Sequence, residues 1–191
     1  MCPGQGVTAG VQGVQGRERL EYNVDQSEAR LQVFIFYPMD WEEDSVSLLT
    51  SFSTLHPQFL ATQCCLYGCS TDSVSTHARW LQAELGSSLP FPLLSDMAGN
   101  LADKYSLYDK EERVSMRGVV ITDCKGKELE VITSSLDSED LAMLTLNIVK
   151  EACAADTATT TKYGKQSGET NRGNKKVLGN KEMEDKVSAE Y

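Results

Sequence analysis

The stretch LQVFIFYPMDWEEDSVSLLTSFSTLHPQF, residues 31–59, holds two periodicities joined by an acidic turn. Residues 31–37 form a short apolar run, rich in aromatic and branched side chains and closed by Pro38. That length and composition predict a buried strand rather than a helix. Residues 39–45 are turn-like. From 46 to 59 the apolar positions Val46, Leu48, Leu49, Phe52, Leu55 and Phe59 recur every three or four residues, which predicts one buried helix face.

The same alternation continues outward. Cys64–Ser70 reads as a second strand ending at Thr-Asp-Ser, and residues 74–85 as a helix that buries Ala78, Trp80, Leu81 and Leu85. A short strand over 91–94 and a short helix over 100–105 follow. Residues 117–122 and 128–132 bracket DCKGK, which predicts a hairpin turning at Gly126. Residues 138–153 close with a helix, with Ser138 as its expected N-cap and Glu139 and Asp140 in a first turn where the helix dipole favours carboxylates. Strands alternating with helices, then a hairpin and a last helix, predict an α/β sheet covered on both faces.

Residues 1–22 begin with a glycine-rich stretch lacking an apolar period and are expected to be poorly ordered, leaving a domain over 23–153. Residues 154–191 are polar, with few aliphatic clusters, and are expected to be a disordered tail.

Composition narrows the function. The net charge is −10, and residues 1–153 carry −11 of it, so the body repels phosphate backbones and nucleic acid is excluded. No apolar window is long enough to cross a membrane, and the N-terminus lacks the regions of a secretory signal, so a cytoplasmic protein is expected. Six cysteines without a C-x-x-C pair, and two histidines, give no zinc-ligand spacing and suit reduced thiols. Neither metal nor cofactor is expected.

Four segments in order then carry a resemblance. FYPMDWEEDSVS (36–47) resembles the active-site segment F-Y-P-x-D-F-x-x-x-C-P-T of the peroxiredoxins, the alkyl hydroperoxide reductase/thiol-specific antioxidant family. CCLYGCSTDSVSTHARW (64–80), LPFPLLSD (89–96) and SMRGVVITDCKG (115–126) are similar to that family's later segments. The resemblance implies a thioredoxin-like fold and thiol-dependent peroxide reduction: a thiolate at a helix entrance attacks the O–O bond, helped by a hydroxyl and an arginine, and a second thiol resolves the sulfenic acid.

Laid on this chain, Pro38 keeps the family's proline, Ser47 stands in for the threonine hydroxyl, and Arg117 takes the arginine position. Ser45 occupies the place of the nucleophilic cysteine. An alcohol is far less acidic than a thiol and has no sulfenic counterpart. Val46 follows where the family has proline, and Glu42, Glu43 and Asp44 crowd the helix entrance with charge that opposes thiolate formation. The resolving V-C-P segment, the family's second arginine and its G-G-L-G loop have no clear counterparts; ELGSS (84–88) stands at the last. The resemblance therefore implies a peroxidase-impaired relative.

Its expected partners are a second copy of itself or active peroxiredoxins, and a thioredoxin-like reductant if any activity remains. Cys64 and Cys65 are redox candidates, with Cys64, at the strand's start, expected to be the accessible thiol; the other reading makes Cys64, Cys65 and Cys69 small buried hydrophobes. Cys65 and Cys69 lie roughly 13 Å apart along a strand, too far for a disulfide. Arg117 is either an anion site or a partner for nearby carboxylates. His77 and Trp80 read as structural.

Overall fold

In the computed structural model, residues 10–23, 27–85, 89–133 and 135–166 are described, with side chains to Ala155. The sheet and core lie in the unit that ends at Asp156. Nine strands and four helices occur among these residues: β1 Val11–Gln15, β2 Glu18–Tyr22, β3 Leu31–Phe36, α1 Glu43–Ala61, β4 Cys64–Ser70, α2 Val74–Ala83, β5 Leu93–Ser95, α3 Asn100–Lys104, β6 Tyr108–Asp109, β7 Val114–Ser115, β8 Gly118–Asp123, β9 Glu128–Ile132 and α4 Ser138–Gln166.

Seven strands make one mixed sheet in the order β2-β1-β5-β4-β3-β8-β9, and β6 pairs with β7 separately. β3, β4 and β5 run parallel, so their carboxyl ends share one end of the sheet; β8 is antiparallel to β3, so it starts there. Strand periodicity divides the core. Val33 and Ile35 of β3, Leu66 of β4 and Val119 and Ile121 of β8 face a cluster built with α1, α2 and α4. Phe34 and Phe36, Cys69 and Val120 face a second cluster capped by Leu101, Ala102 and Tyr105. Both faces are covered, which is why LQVFIF is buried at every position.

The N-terminal segment departs from expectation. Residues 11–22 form a hairpin, with Gln15 opposite Glu18 across a turn in which Gly16 has φ +60°. β1 then pairs with β5, and Val14 is fully buried. Residues 1–9 lie outside the described residues, but of the glycines that suggested disorder Gly16 serves the turn and Gly13 the packing. A Cβ on Gly13 would lie 2.8 Å from the Leu93 carbonyl oxygen and 2.9 Å from both the Leu94 side chain and the Tyr22 ring. Because the first of these is backbone, it cannot swing aside. Gly13→Val should therefore cost about 1–3 kcal/mol, read as a lower urea midpoint; an unchanged midpoint would mean that β1 does not dock as described.

Three boundaries also move. Asp137, not Ser138, caps α4: its carboxylate accepts from the Asp140 amide at 2.9 Å and its carbonyl from Leu141 at 3.1 Å. α4 runs to Gln166, past the expected start of the tail at 154; residues 167–191 lie outside the described residues. β5 starts at Leu93 rather than 91, because Pro90 and Pro92 have no amide proton for a ladder, although the Pro92 carbonyl accepts from Gly68 at 3.0 Å. The DCKGK turn forms as expected, with Gly126 at φ +72° and the Asp123 carboxylate accepting from the amides of Lys125 and Lys127.

Candidate functional site

Beyond β3 the chain crosses the carboxyl end of the sheet and turns into α1. Tyr37 is still buried, and its amide donates to the Cys69 carbonyl at 3.1 Å. Pro38 is half-buried and Met39 exposed, and Trp41 takes φ +71°, a left-handed conformation rare for a bulky side chain. The helix begins at Glu43, with Glu42 as an N-cap whose side chain makes no capping bond.

A buried polar cluster holds this loop. Asp40 lies under it, 4% exposed, with its carboxylate 2.8 and 3.0 Å from Nδ1 of the fully buried His77. Nε2 of His77 donates to the Leu94 carbonyl at 3.2 Å, since a carbonyl can only accept, and this leaves Nδ1 facing the Asp40 carboxyl. The Tyr37 hydroxyl donates to Asp40 at 3.0 Å, and burial holds that phenol well above its ordinary pKa, so it stays a donor. The Asp40 amide donates to the Asp72 carboxylate at 2.8 Å, which also accepts from Ser70 at 3.0 Å. Burial raises the Asp40 carboxyl against the opposing pull of His77.

Ser45, the third residue of α1, is 1% exposed, and its hydroxyl donates to the Met39 carbonyl at 2.9 Å. Thus the oxygen at the helix entrance is committed to closing the loop back on itself. Ser47 does not join it: two positions along a helix are about 200° apart, and Ser47 is exposed. Arg117 is half-buried just before Gly118, which pairs with Phe36, so its backbone sits at the strand end from which the loop departs. The structure therefore gathers Pro38, Ser45 and the Arg117 backbone at one end of the sheet and turns Ser47 to solvent.

The thiols are arranged differently. Cys64 is buried rather than accessible, because α1 and α4 cover the start of β4, and burial pushes its pKa far up. Cys65 is the half-exposed one, and its pKa is also raised by burial. Cys69 is fully buried in the second cluster. Among the described residues no group of three or more His, Cys, Asp or Glu is placed to hold a metal ion, and no helix is long and apolar enough to cross a membrane.

Sequence reasoning missed the Asp40–His77 pair. Its signal was present: His77, Trp80 and Leu81 share one buried stripe of α2, and a histidine on such a stripe needs a buried partner.

A mixed sheet with helices on both faces, a loop at the carboxyl ends of its parallel strands and a helix leaving that loop define a thioredoxin-like α/β protein. Solved structures agree. The mitochondrial 2-Cys peroxiredoxin of Plasmodium falciparum superposes with a TM-score of 0.68 at 20% identity, covering 78% of this chain and 92% of that one. Enterococcus faecalis AhpC gives 0.65 at 19%, covering 75% and 89%.

The AhpC/TSA family pattern matches residues 13–130, and the chain belongs to that family. Among its relatives, a putative peroxiredoxin of Entamoeba histolytica is 32% identical over 111 residues, covering 56% of this chain and 48% of that protein. Peroxiredoxin 2 of Drosophila melanogaster is 32% identical over 123 residues, covering 62% and 63%. Peroxiredoxin-4 of Dictyostelium discoideum is 30% identical over 160 residues, covering 76% and 61%. The chain thus spans about half to two-thirds of the length of these relatives.

Proposed function

We propose that this chain keeps the peroxiredoxin scaffold without its peroxide-attacking thiol and acts by association. The observation that carries this reading is Ser45: a buried hydroxyl, hydrogen-bonded to the Met39 carbonyl, at the helix entrance where the family resemblance calls for a thiolate. A neutral alcohol in that place is neither ionised near pH 7 nor polarisable enough to open an O–O bond. The cysteines do not replace it, since burial raises the pKa of Cys64, Cys65 and Cys69 alike.

The association surface is the same end of the sheet. Met39, Trp41, Met97 and Met116 are exposed there, on the loops that follow β3 and β5 and precede β8. Exposed apolar side chains gathered at one end suit contact with a second copy or with an active relative. The name of one relative, a thioredoxin peroxidase of Fasciola hepatica, supports a thioredoxin-like protein as the reductant for any residual turnover. A cytoplasmic setting suits the free thiols.

The test is to mix the purified chain with hydrogen peroxide, thioredoxin, thioredoxin reductase and NADPH, beside an active peroxiredoxin as control. NADPH should fall no faster than without the chain, and light scattering of the purified chain, alone and mixed with the active peroxiredoxin, should give a mass above one chain. Catalytic loss of NADPH would overturn the first half, and a monomer at every concentration the second.

A further inference from the structure

The end of the sheet opposite the loop carries a cleft of about 990 Å³ with two half-exposed thiols, Cys65 and Cys124, on its walls. It opens where β3 and β4 begin and β8 ends, since Leu31 pairs with Cys64 on one side and with Asp123 on the other. Leu31, Leu129 and Ile148 give it an apolar lining, and its size is that of a small-molecule site. Its charge is one-sided. Glu28, Asp123, Glu130 and Glu151 line it, against Arg30, whose guanidinium is held on the Cys153 carbonyl at 2.8 Å. Asp123 is partly balanced by the amides of its own turn, and Lys125 and Lys127 lie exposed on that turn outside the lining, so that within the cleft the three exposed glutamates outweigh Arg30.

We propose that this cleft is a thiol-modification site for small cationic aminothiols, which it takes up as mixed disulfides on Cys65 or Cys124. The thiolate sulfur attacks one sulfur of an aminothiol disulfide, a new S–S bond to the protein forms, and the reagent's own S–S bond breaks. The protein sulfur is oxidised, and the departing half leaves reduced, as a thiolate that takes up a proton. The two cysteines cannot instead bridge each other: two strand spacings separate their chains by roughly 9–10 Å, beyond disulfide reach. The carboxylates select the reagent. They attract a dication such as cystamine and repel oxidised glutathione, which is anionic.

The experiment exposes the reduced full-length chain at pH 8.5 to cystamine, neutral 2-hydroxyethyl disulfide or oxidised glutathione. Each rate of adduct formation, followed by mass spectrometry with peptide mapping, is divided by the rate for the urea-unfolded chain, which removes intrinsic reagent reactivity. At low salt, cystamine should modify Cys65 or Cys124 at least about tenfold faster than oxidised glutathione, with the neutral reagent between. The preference should collapse at about 1 M salt, where the screening length is about 3 Å. It should also collapse in the variant Glu28→Gln/Glu130→Gln/Glu151→Gln, whose three sites are exposed and should not alter folding. Equal normalised rates, a preference that survives in the glutamine variant, or adducts confined to Cys2 and Cys153 would each overturn the proposal.

Discussion

His77→Ala should destabilise the fold by about 3–5 kcal/mol, because it leaves the buried Asp40 carboxyl without its closest hydrogen-bond partner and opens a cavity where the ring stood. Asp40 and His77 are both fully buried at the side chain and 2.8 Å apart. With His77 gone, Asp40 retains the Tyr37 hydroxyl but loses the ring that pulls its pKa down. On a total stability of about 5–15 kcal/mol, the loss would be visible directly in the urea midpoint. The deficit should also depend on pH in one direction. Burial already raises the folded-state pKa of Asp40 above its ordinary value. A raised carboxyl contributes stability that is fullest below its unfolded pKa of about 3.9 and is lost as pH rises through the folded value. Removing His77 raises that folded value further. The variant should therefore be most impaired at pH 7 and recover part of its deficit at pH 5. Adding Asp40→Asn should remove the pH dependence, since no carboxylate is left to titrate. A deficit below about 1 kcal/mol, or one equal at the two pH values, would mean that the pair is not the loop's anchor.

That pair marks where the sequence stopped being legible. The short apolar runs in LQVFIF and RGVVIT placed β3 and β8 to within a residue, and the step of three and four placed α1, because those patterns report burial directly. The hairpin at 11–22 was hidden because Gly13 serves tertiary approach to Leu93 and Leu94, which no local pattern encodes. For the site, a family motif located Ser45, Pro38 and Arg117, but a motif carries no orientation. Helix geometry turned Ser47 away from Ser45. Accessibility was likewise not local: Cys64 looked exposed as a strand terminus until the ends of α1 and α4 were laid over it, whereas its neighbour Cys65 keeps part of its surface. The buried Asp40–His77 pair joins residues 37 positions apart, and only the parallel packing of β3, β4 and β5 brings them together.

Ser45→Cys is expected to gain peroxide chemistry without gaining turnover. A sulfur at the third position of α1 lies among helix N-terminal amides, which lower a thiol's pKa, while Glu42, Glu43 and Asp44 push it back up. Lowering a thiol pKa by about one unit from 8.5 raises its thiolate fraction at pH 7 about eightfold. The variant should therefore consume hydrogen peroxide stoichiometrically where the unmodified chain consumes none at position 45, with a sulfenic acid there that dimedone traps. Glu43→Gln and Asp44→Asn, both at exposed positions, should add to that rate by removing like charge. The sulfenic acid should not resolve within the chain. Cys69 lies at the same end of β4 but faces the second cluster, with the sheet between it and α1. Cys65 is roughly 13 Å further along the strand, at the thiol-lined end. Excess peroxide should accordingly drive the new thiol on to sulfinic acid rather than to a disulfide. No dimedone adduct in the variant would place the barrier to peroxide chemistry in the loop itself, held by Asp40, His77 and the Met39 carbonyl, rather than in the missing sulfur.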